Sequence, residues 1–158
     1  MEKRNILVYL IVVIFIITKI FLYNFEENDI RKLKSYTEKT TGIVTAFDYN
    51  VSRQHSHIYK YDISIDYQIN EEKYTSKQQY TFYTGLLSSA RAYNVGNLLN
   101  VLYQPENPYN VIPEGIVQNQ LEHHESYKKV HMVHIILGFV GIFIYYERTK
   151  KNGTIQYI

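Results

Sequence analysis

The sequence predicts an α+β membrane protein in which two transmembrane helices flank a small antiparallel β-rich domain with one short helix. Three observations predict it. Both ends of the 158-residue chain hold long apolar runs, at 6–23 and 130–146. The middle carries strands in which apolar and polar residues alternate, and turn residues separate those strands. The mean hydropathy of −0.27 conceals this division, because it averages two apolar ends with a polar, tyrosine-rich centre.

Residues 6–23 read ILVYLIVVIFIITKIFLY, with Lys19 as the only charge. At about 1.5 Å per residue such a helix covers about 27 Å, enough to cross a bilayer core. Lys19 lies one turn from the far end, from where its flexible stem reaches the headgroups. Lys3 and Arg4 precede the run as they would in a signal peptide, but no small-x-small cleavage site follows it, so an uncleaved anchor is expected. Residues 130–146, VHMVHIILGFVGIFIYY, form the second span, bracketed by Lys128 and Lys129 before it and Arg148, Lys150 and Lys151 after it. Basic residues in the short terminal segments, 1–5 and 147–158, place both ends in the cytoplasm and the middle outside, in a cell membrane. Arg31, Lys32, Lys34, Lys128 and Lys129 lie close to the spans on the opposite side and weigh against that orientation. Gly138 and Gly141 lack the four-residue spacing of a close-packing helix motif and are expected simply to be small.

Residues 24–40 are rich in charge and read as a juxtamembrane helix or linker. A β-rich domain is expected over 41–115, with a linker at 116–129 before the second span. In 42–50, Ile43, Thr45, Phe47 and Tyr49 alternate with Val44, Ala46 and Asp48. In 59–70, Tyr59, Tyr61, Ile63, Ile65, Tyr67 and Ile69 alternate with polar residues, which predicts one buried and one wet face. A polar turn at 70–73 leads into a returning strand over 73–83. Residues 86–93 place Leu86, Leu87, Ala90 and Tyr93 on one helical face. A strand at 98–103 then ends where Pro105 and Pro108 interrupt pairing, and Val111 and Ile112 make a last edge strand.

The run Tyr-Asn-Val-Gly-x-x-x-x-Val-x-Tyr-x-Pro-x-Asn-Pro at 93–108, with Gly42-Ile43-Val44 opening a strand and apolar helices at each end, resembles the family called domain of unknown function 3592. Gly42, Gly96, Tyr103, Pro105, Asn107 and Pro108 carry the resemblance. It implies a membrane-anchored small β-domain, typically bacterial, with no established activity and no catalytic residues to transfer. The histidine-containing insertion and the basic tail depart from that pattern.

A formal charge of +2, from 17 Lys and Arg against 15 Asp and Glu, offers no broad basic face for nucleic acid. The chain has no cysteine, which excludes disulfides, thiolate metal sites and a cysteine nucleophile. No phosphate-binding glycine loop, nucleophile elbow or zinc-protease motif is present, so neither catalysis nor a cofactor is expected. Asp62 and Asp66 share the polar face of a strand and suit solvated sheet surface. The six histidines fall in three pairs, His55 and His57, His123 and His124, His131 and His134. The spacing of the first pair on a strand, or of the last pair on a helix, can hold a metal, and the three pairs could converge if the insertion near His55 folds toward the membrane. The simpler reading places them at a hairpin tip, in a linker and at the membrane interface.

Among 17 tyrosines, those at 59, 61 and 67 are expected in the core, whereas Tyr80 and Tyr83 are candidates for an exposed aromatic strip. The expected role is a binding domain displayed from the lipid bilayer toward a protein or envelope component, its open strand edges serving as the attachment surface. An accessory or immunity-type subunit acting through its spans is the alternative, and histidine-based metal handling a third.

Overall fold

The computed structural model describes residues 3–51, 58–84 and 93–154. The short helix predicted over 86–93 and the pair His55 and His57 lie outside these residues, apart from Tyr93. Seven elements follow one another: α1 (Lys3–Lys34), β1 (Glu38–Val51), β2 (Ile58–Ile69), β3 (Glu72–Tyr83), β4 (Leu98–Gln104), β5 (Asn107–Pro113) and α2 (Glu114–Thr154). They form two compact units, one of residues 1–28 with 124–158 and one of residues 29–123. The strands make one antiparallel sheet in the order β3-β2-β1-β4-β5.

Both apolar runs are helical, and α1 and α2 are each long and apolar enough to cross a membrane. In their unit the helices run antiparallel. A Cβ on Gly138 would lie 2.6 Å from Ile16 Cγ1, so a glycine there lets the two backbones approach. Gly138 therefore has a packing role that its spacing from Gly141 did not reveal, whereas Gly141 faces open space. Further along, Phe15 meets the His134 ring edge-on at 6.1 Å. Glu26 accepts a hydrogen bond from His124 at 2.6 Å, and Glu27 pairs with Lys128.

α1 continues to Lys34 instead of ending with its apolar run. Arg31, Lys32 and Lys34 complement the negative helix end, and the Ser35 hydroxyl donates to the Lys32 carbonyl at 2.7 Å. The expected linker at 116–129 is instead the first part of α2. Ile116, Val117 and Leu121 recur at helical spacing and pack against the sheet, a burial that three apolar residues among polar ones did not announce.

β2 behaves as its alternation predicts. Tyr61, Ile63, Ile65 and Tyr67 are buried in the core with Val44, Tyr80, Phe82, Val101 and Val111. Asp62 and Asp66 lie on the other face, where they accept hydrogen bonds from Gln79 and Thr75. β1 departs from strict alternation. Its register against β2 shifts between Val44 and Ala46, so one extra residue reverses the parity. Gly42 and Val44 face the core before this bulge, Phe47 and Tyr49 take the same face after it, and Ile43 is exposed. β1 also begins at Glu38, because the polar residues 38–41 find partners in β4.

Asn70 and Glu71 both have positive φ, 50° and 71°, which gives the two-residue turn whose twist matches an antiparallel hairpin. Between β4 and β5, Gln104 pairs with Asn107 but Tyr103 pairs with Val111. Pairing lapses across Pro108, Tyr109 and Asn110 and then resumes, so β5 is longer than the edge strand expected at 111–112.

The sheet curls until its two edges approach. Tyr67 donates to the Pro108 carbonyl at 2.7 Å, Gln78 to Tyr109 at 3.2 Å and Tyr80 to Val111 at 2.6 Å. Tyr80 is thus a buried core residue and not part of an exposed strip. α2 covers part of the outer edge of β3. Asn119 accepts from the Tyr83 amide and donates to its carbonyl, both at 2.7 Å, and Gln120 donates to Thr81 at 2.6 Å. The open strand edge expected to receive a partner is therefore closed over 81–83, and Lys73 and Lys77 protect the remainder of β3.

Candidate functional site

At one end of the curled sheet the inward-facing positions of all five strands surround a cavity of about 410 Å³. Glu38 comes from β1, Ile69 from β2, Glu72 and Tyr74 from β3, Tyr103 from β4 and Pro108 from β5, while the β2–β3 turn adds Asn70 and the β4–β5 turn adds Pro105. Register explains the gathering. Glu38 pairs with Tyr103 and shares the face of Gly42 and Val44, and Glu72 pairs with Ile69 and shares the face of Ser76 and Tyr80. Two carboxylates therefore occupy positions that continue the core face, where the alternating pattern calls for apolar side chains. Breaks of this kind concentrate at functional sites, and the mouth of a curled sheet is a common place for a ligand.

Tyr74 is one of the side chains that line this mouth. Its ring stacks on Tyr67 with centroids 5.5 Å apart and planes 14° apart, and meets Tyr109 edge-on at 5.3 Å. Its hydroxyl donates to Glu72 at 2.7 Å. That bond to a carboxylate favours the neutral phenol and pushes the Tyr74 pKa up to about 12. Behind the mouth, Asn110 donates to Gln104 at 3.1 Å and Gln104 donates to Ser35 at 2.6 Å, which ties the β4–β5 connection to the end of α1 within the same unit.

The residues of the 93–108 run divide into two groups. Tyr103, Pro105 and Pro108 line the mouth, and Asn107 closes the turn that holds them by pairing with Gln104. Gly42 and Gly96 serve the fold. A Cβ on Gly42 would lie 2.4 Å from Ile65 Cγ2. Gly96 adopts φ +89° and donates to the Val44 carbonyl at 2.8 Å, while the Asn97 carbonyl accepts from Val44, so the turn is bonded to the bulged part of β1. Glu38, Glu72, Tyr74 and Tyr109 were not singled out in the sequence. For Glu72 and Tyr74 the signal was available: a two-residue turn at 70–71 fixes their parity. For Glu38 it was not, because its strand is polar at that end.

Among the described residues, His123 stacks on Tyr83 at 3.4 Å in the unit that holds the sheet, and His124, His131 and His134 belong to the helix pair. Among the described residues no group of three or more His, Asp or Glu side chains is arranged to hold a metal ion. His131 is buried, and the Nδ1 atoms of His131 and His134 are buried with no hydrogen-bond partner.

No protein-family model, curated protein or solved structure matches the chain.

Proposed function

We propose that the protein is a two-span membrane protein that displays its β-rich domain outside the cytoplasm and uses the mouth of the curled sheet to bind a protein or envelope component. Both termini are cytoplasmic in this reading, and the protein performs no catalysis. The observation that carries it is the mouth itself: a concave space with tyrosine walls, proline rings and two inward carboxylates, drawn from every strand. Aromatic anchors in a partly desolvated hollow dominate many protein contacts. Strand addition is a weaker mechanism than the sequence suggested, since α2 and two lysines guard β3.

A photoreactive residue at position 103 is expected to capture a specific partner in native membranes, whereas one at Thr41, on the outer face of β1, is not. Equal capture at both positions would remove the mouth as the contact site.

A second reading is an accessory subunit that acts through its spans. It is supported by the unpartnered Nδ1 atoms of His131 and His134, since polar groups inside a membrane are costly and tend to have work to do. Replacing both spans with unrelated apolar helices separates the two readings: the first retains partner capture and the second loses it.

A further inference from the structure

The lining of the mouth defines the chemistry of what enters it. We infer that it receives a single positively charged side chain, a lysine ammonium or an arginine guanidinium, presented by a partner polypeptide. This rests on the proposal that the mouth is the contact site.

Charge comes first. Of the described residues that line the mouth, Glu38 and Glu72 are carboxylates and none is Lys, Arg or His. The two carboxylates come from different strands, β1 and β3, so a cation entering the mouth meets the negative charge of both. The nearby Lys39 offers no compensation within the cavity, because it alternates to the other side of β1 and is held by Glu114 at 3.0 Å. Glu72 already accepts one hydrogen bond from Tyr74, which orients its carboxylate and leaves its remaining acceptor positions for a charged donor.

The walls favour an organic cation. Tyrosine rings present negative faces to a cation, and Tyr74 is fixed by its stack on Tyr67 and its edge contact with Tyr109. Pro105 and Pro108 provide apolar surface for a methylene stem. The volume of about 410 Å³ exceeds ten waters at about 30 Å³ each, enough for a long side chain with some hydration. A bare divalent ion fits less well, since calcium takes six or more oxygen ligands and this rim supplies two carboxylates. A polypeptide source suits a rim that is open and built from strand ends and turns, where a neighbouring backbone can approach.

The test uses the full-length protein in nanodiscs with isotopically labelled tyrosine rings. The probes are a short neutral peptide bearing one lysine, the same peptide with arginine or norleucine, and choline. The lysine or arginine peptide is expected to shift the Tyr74 and Tyr103 signals saturably, and the norleucine peptide to leave them unmoved. Glu72→Gln and Glu38→Gln should each weaken the response roughly tenfold, the loss expected for one hydrogen bond to a charged group. Added salt should weaken it as well. Unchanged peptide amide spectra in the variants would establish that they remain folded. A response to norleucine equal to that of lysine, or none to either cation, overturns the inference. A choline response as strong as that of the peptides also overturns it, in favour of a small ammonium ligand. If photocapture at position 103 persists while the cationic probes fail, the contact site stands and only its charge preference falls.

Discussion

Gly42 and Gly96 are glycines for different physical reasons, and the difference can be measured. At Gly42 the obstacle is space: a methyl group would meet the buried Ile65 at 2.4 Å and the Asp66 carbonyl at 3.3 Å. At Gly96 nothing lies within 4 Å, and the obstacle is φ +89°. Gly42→Ala should cost about 1–3 kcal/mol by overpacking, and Gly96→Ala about 1–2 kcal/mol by backbone strain. Asparagine tolerates left-handed backbone, so Gly96→Asn should recover much of the loss, whereas Gly42→Asn should be worse than Gly42→Ala. Thermal unfolding of the four variants, followed by tyrosine circular dichroism, checks the pattern.

Tyr74 offers a second test on single side chains. Its phenol is held at about 12 first by the hydrogen bond to Glu72, so Glu72→Gln should return it toward the ordinary value near 10. Phenolate absorbance during an alkaline titration reports the change. Tyr36, Tyr67 and Tyr80 are also raised, in each case chiefly by burial. A raised folded-state pKa gives stability that is complete below about pH 10 and is lost as pH rises through the folded value. These three phenols should therefore ionise late, together with unfolding of the sheet.

Among the elements, the start of α2 and the edge of β3 are the clearest points of control. Glu114 opens α2 and accepts from Lys39 at 3.0 and 3.1 Å and from Asn100 at 2.9 Å. These bonds, Lys39 first, hold its carboxyl below the usual carboxylate range. A lowered folded-state pKa gives stability that is present above about pH 4.3 and is lost as pH falls through the folded value. Glu114→Gln should flatten this acid limb and leave the alkaline limb unchanged. Asn119→Ala removes both side-chain bonds at the edge of β3 and should cost about 1–3 kcal/mol. Faster hydrogen exchange confined first to the Tyr83 amide would identify the cause.

The elements also differ in how readily they could be read. β2 announced its core face because it is regular over its whole length. β1 did not, because a bulge changes parity without leaving a glycine or proline at the site of the extra residue. Pro105 and Pro108 correctly marked a break in pairing, yet the strand resumed at Val111 once Tyr67, Gln78 and Tyr80 supplied partners for the carbonyls around the gap. No local pattern foretold those donors, since all three come from strands distant in sequence.

For the whole molecule, the expectation is that the chain stays with the membrane pellet after alkaline washing and needs detergent for release. Recovery in the aqueous fraction would reject the two-span proposal. The absence of cysteine makes orientation simple to measure. A single cysteine at Thr45 should react with an impermeant thiol reagent in intact cells, and one at Lys150 only after the membrane is opened. The reverse pattern would invert the proposed topology.

Apolar runs at both ends and an alternating tyrosine-rich middle were enough to specify two lipid-length helices and an antiparallel sheet, because helix length and side-chain parity are local properties of the chain. The mouth was not legible in the same way. Glu38, Ile69, Glu72, Tyr74, Tyr103 and Pro108 are scattered over five strands, and they share one hollow because of register, one bulge and the curl of the sheet. Those features arise from pairing between distant segments, where the free energy depends on which strands meet and not on the composition of any one of them.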